Sequence, residues 1–296
     1  MKLLSFQNLI LNQFVMKSKK HFIHFLLVVS FLSICNISHA QFKIYINTDL
    51  EGISGVFNFT QTREKGTPEN LKACEYFMDD LAAVIKGLRD GGATNIIVLD
   101  GHGNQAVIPH LMAPGATYVT GRPRPGAGAL TMLDSTFDAM IMIGFHAMNG
   151  TPDGILNHTQ SSRTEHKYWY DGVECGELVQ NAVIAGYYNI PVVMVSGDEA
   201  TCREAKHFFG DECVTIATKK GVAREAAQLY PFKQTRAALY EGAKQALKAI
   251  PKSKPYKLDF PIQAKKQYQV KEHGSTEPRI IVKEKMIKHP LKILDI

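Results

Sequence analysis

The chain has 296 residues with 34 basic and 28 acidic side chains, and 45% of its residues are hydrophobic. This composition is ordinary for a globular enzyme that buries a substantial core, as one large domain or two smaller ones. The formal charge of +6 falls to +2 without residues 1–40, which carry four lysines and no acid. Such a balance gives no electrostatic footprint for nucleic acid, so we expect no nucleic-acid partner.

The amino-terminal segment has the pattern of a secretory signal. Lysines in residues 17–20 precede an apolar stretch, residues 22–32, and Ser38-His39-Ala40 provides a small-x-small cleavage site. We expect cleavage after Ala40, export to the periplasm or medium, and no membrane attachment afterwards. A buried helix or a membrane anchor is the alternative. Translation can begin at Met1 or at Met16.

Cleavage would leave four cysteines: Cys74, Cys175, Cys202 and Cys213. An exported protein can oxidise a pair such as Cys202 with Cys213, but four cysteines allow three pairings. We expect buried free thiols.

The first predicted strand, residues 42–48, stops on two carboxylates, Asp49 and Glu51. An extended backbone points residues i and i+2 the same way, so both can face one point in space and bind a cation. A turn role for Asp49 and a solvated Glu51 are the alternatives. Apolar residues at helical spacing then predict a helix over 68–90, ended by Gly91-Gly92.

Two further predicted strands lead to histidines. Strand 95–99 is followed by His102, and strand 138–144 is followed by His146, with a short strand over 117–120 between them. Imidazole is a common zinc ligand, so histidines and carboxylates at strand ends predict a mixed nitrogen and oxygen metal site. A lone histidine at such a place is more often an ordinary turn residue than a ligand, so the prediction depends on several strands ending in the same way.

A hairpin around Asp171-Gly172 is predicted next, then a helix over 176–187 with Glu177 at its opening. Glu177 adds a possible ligand, although an acid in a first helical turn is favoured by the helix dipole in any case. Strand 191–196 and a helix beginning near Glu199 follow. Strands alternating with helices predict an α/β fold with a mainly parallel sheet flanked by helices.

The carboxyl-terminal part predicts a smaller α+β unit. Residues 223–249 have an amphipathic helical pattern interrupted by Pro231, and the chain from about Lys257 alternates as strands do. We therefore expect a metal-binding catalytic domain over 41–210 and a helical and β region over 211–296, with a possible role in oligomerisation.

Short motifs in this order make the sequence resemble the M55 family of D-aminopeptidases, typified by a zinc enzyme of a dipeptide-transport operon. The resemblance extends from about residue 43 to 249. The motifs that carry it are Thr48-Asp49-Leu50-Glu51-Gly52, Asp100-Gly101-His102, Gly144-Phe145-His146, Asn157-His158-Thr159, Gly176-Glu177-Leu178 and Val195-Ser196-Gly197-Asp198.

The resemblance implies two zinc ions per subunit, with Mn²⁺, Co²⁺ or Ni²⁺ as possible substitutes. It implies that Asp49 bridges both ions, that Glu51 with His102 completes one site and His146 with Glu177 the other, and that His158 is catalytic. Metal-activated water would then hydrolyse small peptides or amides with an amino-terminal D-amino acid, inside a ring-like homo-oligomer.

Two alternatives stay open. One is another metal-dependent amidase or phosphoester hydrolase, for which Arg122, Arg124 and Arg163 are candidate anion contacts. The other is an exported, non-catalytic peptide-binding or metal-binding protein. A serine triad and NTP chemistry are disfavoured because the sequence has neither a Gly-x-Ser-x-Gly nucleophile elbow nor a Gly-x-x-x-x-Gly-Lys loop.

Overall fold

The computed structural model describes residues 41–124, 130–271 and 277–296, so the predicted signal segment lies outside the described residues. In chain order the elements are β1 (Phe42–Thr48), α1 (Thr60–Arg63), α2 (Pro68–Asp90), β2 (Ala93–Leu99), β3 (Thr117–Val119), β4 (Ala139–Ile143), β5 (Lys167–Tyr170), β6 (Val173–Cys175), α3 (Glu177–Tyr187), β7 (Val192–Asp198), α4 (Glu199–Phe209), β8 (Val214–Ala223), β9 (Ala226–Leu229), α5 (Phe232–Ala249), β10 (Ile262–Val270) and β11 (Arg279–Ile287). Short 3₁₀ turns occupy Pro109–Leu111 and Pro290–Lys292.

The larger sheet has the strand order β3-β2-β1-β4-β7-β8-β9. Every described pairing in it is parallel except that of β9 with β8. All five residues of β4 are buried, as expected for a central parallel strand covered on both faces. The predicted α/β class with a mainly parallel sheet is therefore confirmed.

Helices cover both faces of this sheet. Helix α2 begins with Pro68 after Thr67, whose side chain accepts a hydrogen bond from the amide of Asn70. Its apolar side packs against β2 and against α5, and α5 in turn covers β7 and β8. Helix α3 packs on the opposite face with the carboxyl-terminal residues of the chain. None of the helices in the described part of the chain is long and apolar enough to cross a membrane.

The second sheet is antiparallel, with the strand order β11-β10-β5-β6. Its β5–β6 hairpin turns at Asp171 and Gly172, which have φ angles of 47° and 85°. Positive φ at both turn residues matches the twist of a two-residue hairpin, and the predicted hairpin is confirmed. This sheet joins strands from both sides of residue 210, and the division into domains at that residue stays a prediction.

The prediction of helix throughout 223–249 is wrong in its first part. Residues Ala226–Leu229 form β9, which pairs with β8, and the helix begins only at Phe232 after Pro231. Pro231 cannot lie inside a helix, and the backbone before it hydrogen-bonds to a strand, so tertiary pairing overrides the helix propensity of this segment.

Candidate metal centre

The loops after β1 and β4 are tied together by backbone hydrogen bonds. The amide of Asp49 donates to the carbonyl of Ile143 at 2.8 Å, and the amide of Gly52 donates to that of Gly144 at 2.7 Å. A Cβ at Gly52 would lie 1.9 Å from the carbonyl oxygen of Phe145, so only glycine permits this approach. The carboxylates after β1 are thereby placed beside the loop that carries His146.

The predicted site residues converge at this edge of the sheet. The Nε2 atom of His146 lies 3.3 Å from Asp49 Oδ2 and 3.6 Å from Glu177 Oε1. His102 approaches from the loop after β2, with its Nε2 atom 3.4 Å from Glu51 Oε1. Glu177 is the first residue of α3, which points its amino terminus at the cluster.

His158 belongs to the same cluster. Its ring stacks on that of His146 with 3.9 Å between centroids, and its Nε2 atom lies 3.8 Å from Glu177 Oε1. The amide of Gln160 donates to the same Glu177 oxygen at 2.7 Å, so the loop after His158 is fixed to the cluster. The long loop between β4 and β5 therefore returns to the metal-type side chains.

Two groups of donor atoms have the spacing that a metal ion requires. Asp49, Glu51 and His146 form one group, and His146, Glu177 and His158 form the other, with the donor atoms of each group within 4.8 Å of one another. His102 adjoins the first group through Glu51. All six predicted site residues are thus brought together, although their individual roles as ligands stay predictions, and His158 lies close enough to be a ligand itself.

Buried polar atoms in the cluster lack partners. Glu51 Oε2 and His146 Nε2 are buried without a hydrogen bond among the described residues. Unsatisfied buried atoms are costly, and both are atoms that coordinate metals. The Nδ1 atoms of His146 and His158 lie 3.0 and 2.8 Å from the carbonyl oxygens of Ala147 and Leu156. In the neutral tautomer that carries its proton on Nδ1, each ring donates to that carbonyl and keeps an Nε2 lone pair for a metal ion. The donor set fits a divalent ion such as zinc.

Without a metal, the carboxylates and imidazoles hold each other in charged forms. Burial alone would raise the pKa of Glu51, but the imidazole of His102 outweighs it and holds that pKa well below its usual range. Burial would lower the pKa of His102, and Glu51 instead raises it to about 9. Asp49 behaves differently, because burial and then the charge of Glu51 raise its pKa to about 7.

His158 differs electrostatically from the other two histidines. Burial, and then the neighbouring His146, lower the pKa of His158 to about 4, whereas that of His146 is raised to about 10 by Asp49 and Glu177 despite its burial. A neutral imidazole at physiological pH can accept a proton at Nε2, which is the property that a general base needs.

Asp49, Glu51, His102, His158 and Glu177 of the cluster line a pocket of about 590 Å³. The predicted anion contacts Arg122, Arg124 and Arg163 line it, together with Arg63. Sequence analysis missed Arg63, because it ends a helix of four residues that carries no motif. It also missed Gln160, whose contact with Glu177 uses a backbone amide and therefore leaves no side-chain signal.

Comparison with known proteins identifies the family of the chain. The family model for peptidase M55, described as D-aminopeptidase, matches residues 42–278. A D-aminopeptidase of Bacillus subtilis (strain 168) is 32% identical over 216 residues, which cover 72% of this chain and 76% of that protein. The chain therefore belongs to the M55 family of D-aminopeptidases and is a peptidase.

A solved structure has the same fold. It is the Zn-dependent D-aminopeptidase DppA from Bacillus subtilis, a self-compartmentalizing protease, with a TM-score of 0.76 and 24% sequence identity. The match covers 86% of this chain and 94% of that one.

Proposed function

We propose that this protein is a two-zinc aminopeptidase that removes an amino-terminal D-residue from small peptides or amides. The observation that carries the proposal is the pair of adjoining donor groups that share His146. Within the described residues, His146 Nε2 and Glu51 Oε2 are buried in these groups without a hydrogen-bond partner. Family membership and the 32% identical D-aminopeptidase support the choice of reaction.

Asp49 would bridge the two ions, because one shared carboxylate lets five side chains hold a pair. Glu51 and His102 would complete one site, and His146 and Glu177 the other. Bound zinc supplies Lewis-acid chemistry, polarising the scissile carbonyl and lowering the pKa of water. Mn²⁺, Co²⁺ or Ni²⁺ could occupy the same mixed donor set.

His158 would move the proton in this reaction. Its Nδ1 atom is fixed by the carbonyl of Leu156, so its neutral Nε2 atom is free to accept a proton from the attacking water and to deliver it to the leaving amine. The edge of Phe59, with 6.3 Å between ring centroids, packs against the His158 ring and helps to hold its orientation.

Assembly and location complete the proposal. DppA is described as self-compartmentalizing, and we infer a homo-oligomer, ring-like in form, for this chain. From the sequence of residues 1–40 we infer export and cleavage before Gln41. Amino-terminal sequencing of the exported protein is expected to begin at Gln41, and a product that retains residues 17–35 would exclude cleavage there.

One assay tests the proposed reaction. Purified protein is offered D-alanyl-D-alanine, L-alanyl-L-alanine and p-nitrophenyl phosphate, before and after removal of metal with a chelator and again after zinc is restored. We expect hydrolysis of the D-peptide only, its loss with chelator and its recovery with zinc. Preferential hydrolysis of the phosphate ester would contradict the peptidase assignment, and activity unaffected by chelator would exclude the metal.

Elemental analysis tests the metal stoichiometry. We expect close to two zinc ions per subunit and the loss of both in Asp49→Ala, whereas His102→Ala mainly weakens one site. Glu75→Ala is a suitable control, because Glu75 lies on α2 and forms an ion pair with the exposed Lys72. Full metal content in Asp49→Ala would refute the bridging role.

A further inference from the structure

The pocket brings the metal-type carboxylates and several arginines together. Among the described lining residues, the only acids are the metal-type carboxylates Asp49, Glu51 and Glu177, whereas four arginines line the remainder: Arg63, Arg122, Arg124 and Arg163. A short peptide has the matching charges, with a cationic amine at one end and a carboxylate at the other. The volume of about 590 Å³ is in the range of pockets that enclose small ligands.

Arg63 is held in a fixed orientation, and the carboxylates of Glu225 and Glu51 stabilise its charge without forming an ion pair with it. Its Nε and Nη2 atoms donate to the hydroxyl and carbonyl oxygens of Ser162 at 2.9 and 2.6 Å, and its guanidinium lies 3.4 Å above the ring of Phe59. No described carboxylate forms an ion pair with it, and its Nη1 atom makes no hydrogen bond within the described part of the chain. Its charge is therefore available to a ligand.

Arg163 adds a second guanidinium on the same wall. It follows Ser162, is exposed, and makes no hydrogen bond or ion pair with another described residue. Burial, and then the charges of Arg163 and Arg224, lower the pKa of Arg63, which shows that these cations lie close enough to repel. An anion between Arg63 and Arg163 would relieve that repulsion and accept charge-assisted hydrogen bonds from both.

This cationic wall is connected to the reacting centre. Gln160, in the same loop as Ser162 and Arg163, donates its amide hydrogen to Glu177, and Phe59 beneath Arg63 packs on His158. We propose that Arg63 and Arg163 bind the terminal carboxylate of a short peptide whose amino end lies at the metal centre. The enzyme thereby selects peptides of a few residues by their free carboxylate. This inference rests on the proposed aminopeptidase function.

The test compares substrates that differ only in the carboxylate. Zinc-loaded wild-type protein, Arg63→Gln, Arg163→Gln and the control Arg89→Gln are assayed with D-alanyl-D-alanine and with its carboxyl-terminal amide. Arg89 is outside the pocket lining and donates to the carbonyl of Thr94. Calorimetry with the reduced, non-cleavable isostere of the dipeptide and its amide measures binding without turnover.

We expect wild type and Arg89→Gln to favour the free acid at least 10-fold in kcat/KM and in affinity, since charge-assisted hydrogen bonds to the carboxylate have about that effect. The ratio is expected to fall toward one in each pocket variant. Equal use of acid and amide by wild type, or a preference that persists in both variants, would overturn the proposed carboxylate anchor, the pair Arg63 and Arg163, while leaving the peptidase proposal intact. Arginine-dependent binding without hydrolysis would support the anchor and overturn the aminopeptidase.

If Arg63→Gln fails to fold, because Arg63 also fixes Ser162, Arg163→Gln still decides the question. Arg163 is exposed and has no described partner, so its replacement removes a charge without removing a structural contact. An unchanged acid preference in Arg163→Gln alone would then overturn the anchor.

Discussion

At the scale of single residues, His158 is the position where ligand and catalyst are hardest to separate. Its Nε2 atom lies 3.8 Å from Glu177 Oε1, and the lowered pKa of His158 keeps its imidazole neutral, so the Nε2 lone pair can either bind a metal ion or accept a proton. We expect His158→Ala to lower kcat by roughly 10²–10⁴-fold, the range of a positioned acid–base group, with two zinc ions retained. The exposed His207→Ala is the control. Loss of one ion would instead identify His158 as a ligand.

Lys219 supports the metal centre from behind. Its fully buried ammonium donates to the carbonyls of Glu51 and Ile53, each at 2.7 Å, although burial lowers its pKa to about 7. Lys219→Met would release the turn that carries Glu51, so we expect zinc affinity to fall by about 10- to 100-fold, as for other outer-shell changes. The exposed neighbour Lys220→Met is the matched control in a zinc titration. Equal affinities for the two variants would contradict this role.

At the scale of elements, the junction between the β1 and β4 loops depends on Gly52. The Cβ of Gly52→Ala would meet the backbone of Phe145, Gly144 and Gly197, none of which is a flexible side chain. We expect a loss of about 3 kcal/mol in the free energy of unfolding, the upper range for overpacking. Gly103→Ala is the control, because a Cβ there has no atom within 4 Å. Urea unfolding that gives similar values for both variants would refute the tight junction.

His166, the residue directly before β5, is a histidine whose protonation opposes folding. Burial, and then the charge of Lys266, lower the pKa of His166 to about 4, and its ring packs against Tyr168 and Tyr268. The unfolded chain binds this proton near pH 6.5 and the folded chain only near pH 4, so stability is full above pH 6.5 and declines as the pH falls through that window.

The measurement is urea unfolding at pH 7 and pH 4.5. Between pH 7 and pH 4.5 we expect the free energy of unfolding of wild type to fall by about 1 kcal/mol more than that of His166→Gln. This expected difference is small because the side chain is partly solvated. The acid dependence of the metal centre is common to both proteins and cancels in the difference. Identical pH dependence of the two proteins would show that His166 has no such effect.

The sequence predicts elements best where local pattern and tertiary structure agree. Asp49, His102 and His146 could be recognised because each follows a largely apolar strand, and a parallel sheet places all its carboxyl ends at one edge. Strand β9 could not be recognised from the sequence, since its Ala-rich sequence favours a helix and only its pairing with β8 makes it a strand. The sequence did not indicate Arg63 as a site residue, because its orientation depends on a hydrogen bond to Ser162, 99 residues away in the chain.

At the scale of the whole molecule, β11 is an edge strand of the second sheet as far as the described residues show. Ile280, Val282 and Met286 alternate along it and are 56%, 53% and 49% exposed. An edge strand with exposed apolar side chains favours association, so we expect a second copy of the chain to cover this face in the proposed homo-oligomer.

Sedimentation of the mature chain is expected to give a species larger than a monomer, and Ile280→Lys with Val282→Lys is expected to shift it to smaller species, because lysines disfavour edge pairing. Val222→Lys replaces another exposed apolar residue, on β8 of the other sheet, and should leave the assembly unchanged. A monomeric wild type would contradict the oligomer itself, whereas an intact oligomer in the β11 double variant would place the contact elsewhere. If assembly restricts access to the pocket, the dissociated variant should also cleave longer peptides that the wild type excludes.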